Sequence, residues 1–129
     1  MSQTKSGGAP TTIFVVDDEP MLLELAAAIL QPAGFNVRTF RDPQAALAEF
    51  SAANPPPAIV VTDYAMGVMN GLDLIRECRQ IQPRQKILLL SGTVDESIYA
   101  DTPVKPDRFL AKPYQAHDLI SLVQLLAAA

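Results

Sequence analysis

The strongest constraint on how this chain folds is the repeated appearance of short apolar, partly β-branched runs, each followed by a segment with helical spacing. IFVV at 13–16, AIVV at 58–61 and ILLL at 87–90 are continuous apolar stretches of strand length, the last within KILLLS, read as a strand from Lys86 to Ser91. Strands of that kind are buried on both faces, which is the condition of a parallel sheet covered by helices. FNVRTF at 35–40 alternates apolar and polar side chains, and RFLAK at 108–112 reads as a fifth strand. Between them lie helical patterns. Pro20 suits a first helical turn, followed by Leu22, Leu23, Ala26, Ile29 and Leu30 and a stop at Gly34. Asp42-Pro43 opens a second helix that turns Ala46, Leu47 and Phe50 inward. Gly71 to Ile81 is amphipathic through Leu72, Leu74, Ile75, Cys78 and Ile81. A short helix is predicted over Asp95 to Ala100, limited by Pro103 and Pro106, and a last one over His117 to Leu126. Five strand–helix units joined by right-handed crossovers predict a doubly wound α/β fold. Its five-stranded parallel sheet has the flavodoxin-like order 2-1-3-4-5 and helices on both faces.

The 129 residues suit a single domain, read as a flexible leader over 1–11 and a folded unit over 12–129. The net charge of −4 argues against a direct nucleic-acid surface. No apolar run approaches the ~18 residues of a spanning helix, so no membrane partner is expected. The leader lacks the apolar centre of a secretory signal. Cys78 is the only cysteine, which excludes an internal disulfide and fits a reducing cytoplasm. Its helical surroundings mark it as a half-buried structural residue. His117, the only histidine, is read as an exposed side chain with no second ligand for a transition metal.

Doubly wound sheets bind ligands beyond the carboxyl ends of their strands. At those ends the sequence places Asp17 and Asp18 after the first strand, Asp63 on the third, Ser91 on the fourth and Lys112 after the fifth. Three crowded carboxylates suit a hard divalent cation, and Mg²⁺ takes one or two of them together with water and phosphate oxygens. Without a cation, their mutual repulsion raises at least one pKa. An ammonium and a hydroxyl opposite them suit a phosphoryl group. Asp63 lies between the two sets and is the candidate nucleophile for an acyl phosphate. Glu19, just before Pro20, also has the plain reading of an acid at a helix N-terminus.

VVDDEP, VVTDYAMGVMNGLDLI, LLLSG and FLAKP, in that order between about Thr12 and Ala128, resemble the receiver domain of two-component response regulators. The resemblance implies that Asp63 is the phosphoacceptor. It implies that Asp17 and Asp18 form the acidic pair, with Asp18 and Asp63 as direct Mg²⁺ ligands and the Ala65 backbone carbonyl as a third. Ser91 matches the switch hydroxyl, Lys112 the lysine that precedes a cis peptide at Pro113, and Phe109 the aromatic switch position. The implied partner is a histidine kinase or a histidine phosphotransfer protein. A homodimer through the fourth helix, fifth strand and fifth helix is also implied.

Two positions and one stretch depart from the family pattern. Gly67 stands where proline is common, Phe109 lacks a tyrosine hydroxyl, and the stretch TVDESIYADTPVKPD shortens the fourth helix. Met66 and Met69 are read as packing around the acceptor loop, Tyr64 as a side chain flanking the pocket, and Gly92 as a turn residue or a gate to the site. Two other functions compete with a phospho-accepting domain: a small Mg²⁺-dependent phosphohydrolase, and a pseudo-receiver that only binds partners. No output segment is read after the last helix, so the chain is expected to be a stand-alone regulator or a domain of a longer one.

Overall fold

The computed structural model describes residues 10–129; residues 1–9 of the expected leader lie outside the described residues. Five strands carry the sheet: β1 (Thr12–Val16), β2 (Asn36–Phe40), β3 (Ile59–Asp63), β4 (Lys86–Ser91) and β5 (Arg108–Ala111). They are all parallel and ordered β2-β1-β3-β4-β5, as the pattern predicts. Four α-helices connect them: α1 (Pro20–Leu30), α2 (Pro43–Ala52), α3 (Gly71–Ile81) and α4 (Ala116–Ala128).

The two-residue period of the strands sorts the core into two layers. Ile13, Val15, Ile59, Val61, Leu88 and Leu90 face α1 and α4, where Leu23, Leu30, Leu119 and Val123 meet them. Phe14, Val16, Val60, Ile87 and Leu89 point the other way, onto Ala46 and Phe50 of α2 and onto Leu74, Ile75 and Cys78 of α3. The central strands therefore read as unbroken apolar runs, because both of their faces are covered. The edge strand β2 alternates because it is half-covered.

Local signals act where they were read. Asp42 accepts a hydrogen bond from the Gln44 N–H at 3.1 Å and caps α2. Gly34 takes φ +103° after α1, a conformation costly for a side chain. Lys112–Pro113 is cis, and so is Asn54–Pro55, which no sequence signal indicated.

Some expectations are corrected. The helix expected at Asp95 to Ala100 is a single 3-10 turn over Glu96–Tyr99, with none of its residues buried. With no apolar stripe to bury and prolines close behind, nothing rewards further turns. On α3 the inward stripe is narrower than its spacing suggests, since Leu72 is half-buried and Ile81 exposed. Cys78 is fully buried rather than half-buried, at 1% exposure, and burial pushes its thiol up to about 12. Met66, read as packing around the acceptor loop, is buried within the core. His117 is exposed, beside Asp118 at 3.2 Å.

Candidate functional site

All the side chains picked out at the strand ends gather at the carboxyl edge of β1, β3, β4 and β5. Asp17, one residue past β1, is 3% exposed, whereas Asp18 is exposed and Asp63 buried. One carboxylate oxygen from each of the three lies within 4.8 Å of the others. Lys112 reaches in from beyond β5, with its Nζ 3.0 Å from Asp17 Oδ2 and 3.0 Å from Asp63 Oδ1. Pairing of β1 with β3 and of β4 with β5 brings together residues that are 95 positions apart in the chain.

The two neighbouring acids do different jobs. Asp17 has both oxygens engaged: Oδ1 accepts from the Glu19 N–H at 3.0 Å and Oδ2 from Lys112. Glu19 itself is the N-cap residue of α1 and makes no side-chain capping bond. Asp18 makes no such contact and projects outward. Three carboxylates face one ammonium, so the cluster holds more negative charge than Lys112 can balance. This donor set, all hard oxygens with Asp18 open to solvent, fits a divalent cation such as Mg²⁺. Among the described residues it is the only cluster of its kind.

Burial raises the pKa of Asp63 above the usual carboxylate value; the Lys112 contact opposes this and the charge of Asp17 adds to it. Burial acts on Lys112 in the opposite sense and would lower its pKa, but hydrogen bonds to Asp63 and Asp17 outweigh that and raise it. Burial raises the phenol of the neighbouring Tyr114 as well.

The loop after Asp63 is fixed by contacts that the sequence reading missed. Thr62 is fully buried and its hydroxyl donates to the Asp63 carbonyl at 3.0 Å, with Met66 Sδ 3.7 Å away. Gly71 donates its N–H to the Tyr64 carbonyl at 2.8 Å. A Cβ at Gly71 would stand 2.6 Å from the Asp63 carbonyl oxygen and 2.7 Å from Leu89 Cδ1, so only glycine allows α3 to approach so closely. Asn70 and Asp73 close a reciprocal capping box at 2.9 and 3.1 Å. The sequence Met69-Asn70-Gly71-Leu72-Asp73 carried this signal. Gly67 turns the loop at φ +78°. Ala65 lies exposed on the loop, and Tyr64 is half-buried against the core.

Ser91 is buried at the end of β4, paired with Ala111, and follows Leu90, which pairs with Asp63. Its Oγ accepts from the N–H groups of Thr93 and Val94 at 3.2 and 3.0 Å. Phe109 is half-buried, its ring 6.4 Å from that of Tyr99. Gly92 lies against Lys112, where a Cβ would meet Lys112 Cβ at 3.4 Å.

A sequence model of the response regulator receiver domain matches residues 13–124. The chain belongs to the response regulator receiver domain family. The receiver is 32% identical to the probable transcriptional regulatory protein TcrX of Mycobacterium tuberculosis, over 95% of this chain and 52% of that protein. It is 30% identical to the sensory transduction protein RegX3 of Mycobacterium bovis, over 88% of this chain and 49% of that protein. The chain thus spans about half the length of these curated relatives. Its fold matches a receiver domain from Clostridium thermocellum with a TM-score of 0.84 and 28% identity, covering 92% and 94% of the two chains. It matches the chemotaxis protein CheY4 of Vibrio cholerae with a TM-score of 0.84 and 25% identity, covering 92% and 99%. The chain is therefore a signalling receiver of the two-component type, and these matches lend the phosphohydrolase alternative no support. Among the described residues no helix is long and apolar enough to cross a membrane.

Proposed function

We propose that this receiver takes a phosphoryl group on Asp63 from the phosphohistidine of a histidine kinase or a histidine phosphotransfer protein. A carboxylate oxygen of Asp63 attacks phosphorus, an O–P bond forms, and the P–N bond breaks with its electron pair returning to the donor imidazole. Lys112 then turns its ammonium to the phosphoryl oxygens, held in place by Asp17, and the Ser91 hydroxyl donates to one of them. Attack of water on phosphorus later restores the carboxylate and releases phosphate. Bound by Asp18, Asp63 and the Ala65 carbonyl, with Asp17 beside them, Mg²⁺ would neutralise charge on the phosphoryl oxygens.

The carrying observation is the contact of Lys112 Nζ with both Asp17 and Asp63 at 3.0 Å, inside a trio of carboxylates. Met21 and Val68, 81% and 96% exposed just past the two acidic strand ends, offer a partner apolar surface to bury. In our reading the folded receiver begins at Thr12, and Phe109 follows Ser91 by repacking against Tyr99. A homodimer on the face once expected to hold a fourth helix would have to rest on β5 and α4.

Treatment with acetyl phosphate, or with beryllofluoride, plus Mg²⁺ tests the assignment. Wild type is expected to be modified at Asp63 and Asp63→Asn to be inert. Equal modification of the two would remove Asp63 as acceptor, and no modification of either would favour a partner-binding pseudo-receiver.

A further inference from the structure

We propose that a groove at the opposite, amino-terminal edge of β4 and β5 binds a small ligand carrying two or more phosphate groups. The groove has a volume of about 630 Å³, within the range of small-molecule sites. Register extended back from the Leu88–Arg108 pair sets residues 105–107 beside 85–87, and the Asp107 N–H donates to the Ile87 carbonyl at 2.9 Å. Arg84, Lys86 and Lys105 thereby line one concavity.

None of these three cations has an acidic partner among the described residues; Lys105 Nζ donates only to the Ala100 carbonyl, at 3.4 Å. Among the described residues five lysines and arginines form no ion pair, namely Arg41, Arg84, Lys86, Lys105 and Arg108, and three of the five line this groove. The one acidic side chain in the lining, Asp107, is already spent: its Oδ2 accepts from Arg79 Nη2 at 2.8 Å and from the Ile87 N–H at 2.7 Å. The groove therefore carries excess positive charge on a chain whose net charge is −4.

The same network selects the chemistry of the occupant. Arg79 also donates through Nε to the Gln85 carbonyl at 3.3 Å, and through Nη1 to the Lys105 carbonyl. With these carbonyls and Asp107 occupied, the side chains left free in the lining are chiefly cationic donors, Arg84, Lys86 and Lys105, which outnumber the one further anionic group there, the carboxylate of Ala129. A phosphate group only accepts and satisfies such a site. An acidic peptide brings its own N–H groups, and these would go unpaired there. The guanidinium fork of Arg84 with two flanking ammoniums matches several linked phosphates better than one.

Amide NMR titrations of the full chain in Mg²⁺-free buffer test this, using sodium tripolyphosphate, ADP, a polyglutamate peptide, and potassium chloride at matched ionic strength. Saturable shifts centred on residues 84–86 and 105 are expected with tripolyphosphate. Arg84→Gln, Lys86→Gln and Lys105→Gln combined should weaken binding roughly tenfold, the sum of three exposed charge contacts. Arg41→Gln with Arg108→Gln should change it little. Thermal midpoint and beryllofluoride modification of the triple variant should match wild type. Saturation by ADP at the same residues identifies a nucleotide as the ligand, and saturation by tripolyphosphate alone an inorganic chain; both uphold the site. Shifts that are absent, that potassium chloride or polyglutamate reproduces, or that survive the triple variant overturn it.

Discussion

Between β3 and β4 the chain covers the sheet with an eleven-residue helix that sinks Leu74, Ile75 and Cys78 into the core. Between β4 and β5 it uses one 3-10 turn that buries no residue fully and sets only Tyr99, half-buried, against the core. The first connection is held along its length by packing, a capping box and the close seat of Gly71. The second is held at its ends. Ser91 Oγ ties down the N–H groups of Thr93 and Val94, and Arg79 grips the Lys105 carbonyl and Asp107. Asp63, the proposed acceptor, leads into the packed connection, and the hydroxyl proposed to answer it leads into the tethered one. Local stability follows buried apolar contact, so the molecule places a rigid element beside Asp63 and a soft one beside Ser91. If Ser91 Oγ turns to a phosphoryl oxygen, it lets go of two N–H groups and frees the near end of the soft segment.

Truncation at equivalent points gives the widest contrast. Leu74→Ala is expected to cost about 2–5 kcal/mol, because it opens a cavity under α3 at a site that is 1% exposed. Ile98→Ala, at 39% exposure, should fall within about 0.5 kcal/mol of wild type. Urea unfolding of the two variants measures both. Equal costs would mean that the 3-10 turn packs as firmly as α3.

Glycine substitution sharpens the contrast at the site itself. Gly71→Ala drives a methyl group to 2.6 Å from the Asp63 carbonyl oxygen, where backbone must yield, and should cost about 1–3 kcal/mol. Gly92→Ala meets Lys112 Cβ at 3.4 Å, an ordinary contact, and should change stability by less than about 0.5 kcal/mol. Similar losses at the two positions would show that the start of the second connection is as tightly packed as the start of the first.

The same divide explains what could be read in the sequence. The bounds of α3 and β4 match their expectation because each is written locally: Asn70 and Asp73 cap, the apolar spacing propagates, and ILLL needs two covered faces. The strand-end site was legible because a doubly wound sheet sends every strand's carboxyl end to one edge. The different postures of Asp17 and Asp18 were not, since only the arrival of Lys112 decides which carboxylate is engaged. Thr62, Gly71 and Arg79 were missed for a related reason. Each acts through a partner set by tertiary register, a carbonyl or a loop that no periodicity announces. The 3-10 turn was overread as a helix because two prolines mark where a helix must stop without showing that it has anything to bury.

A further expected effect is a pH dependence that Cys78 lends to the packed connection. Cys78 ionises near 9.0 when exposed, but burial on α3 holds the folded thiol protonated to about 12. Between those values the unfolded chain binds fewer protons than the folded one, so stability falls as pH rises. The contribution is complete below pH 9.0 and is lost on approach to pH 12. By pH 10 the loss should be about 1 kcal/mol. Cys78→Ala removes the titrating group, so its stability, lower at neutral pH, should decline less steeply over this range. Comparing the slopes of wild type and variant between pH 8 and 10 cancels the other groups that titrate there, Tyr99 of the second connection among them. Parallel slopes, or rapid alkylation of the native thiol at pH 8, would show that α3 opens readily, and the distinction between a packed and a tethered connection would go with it.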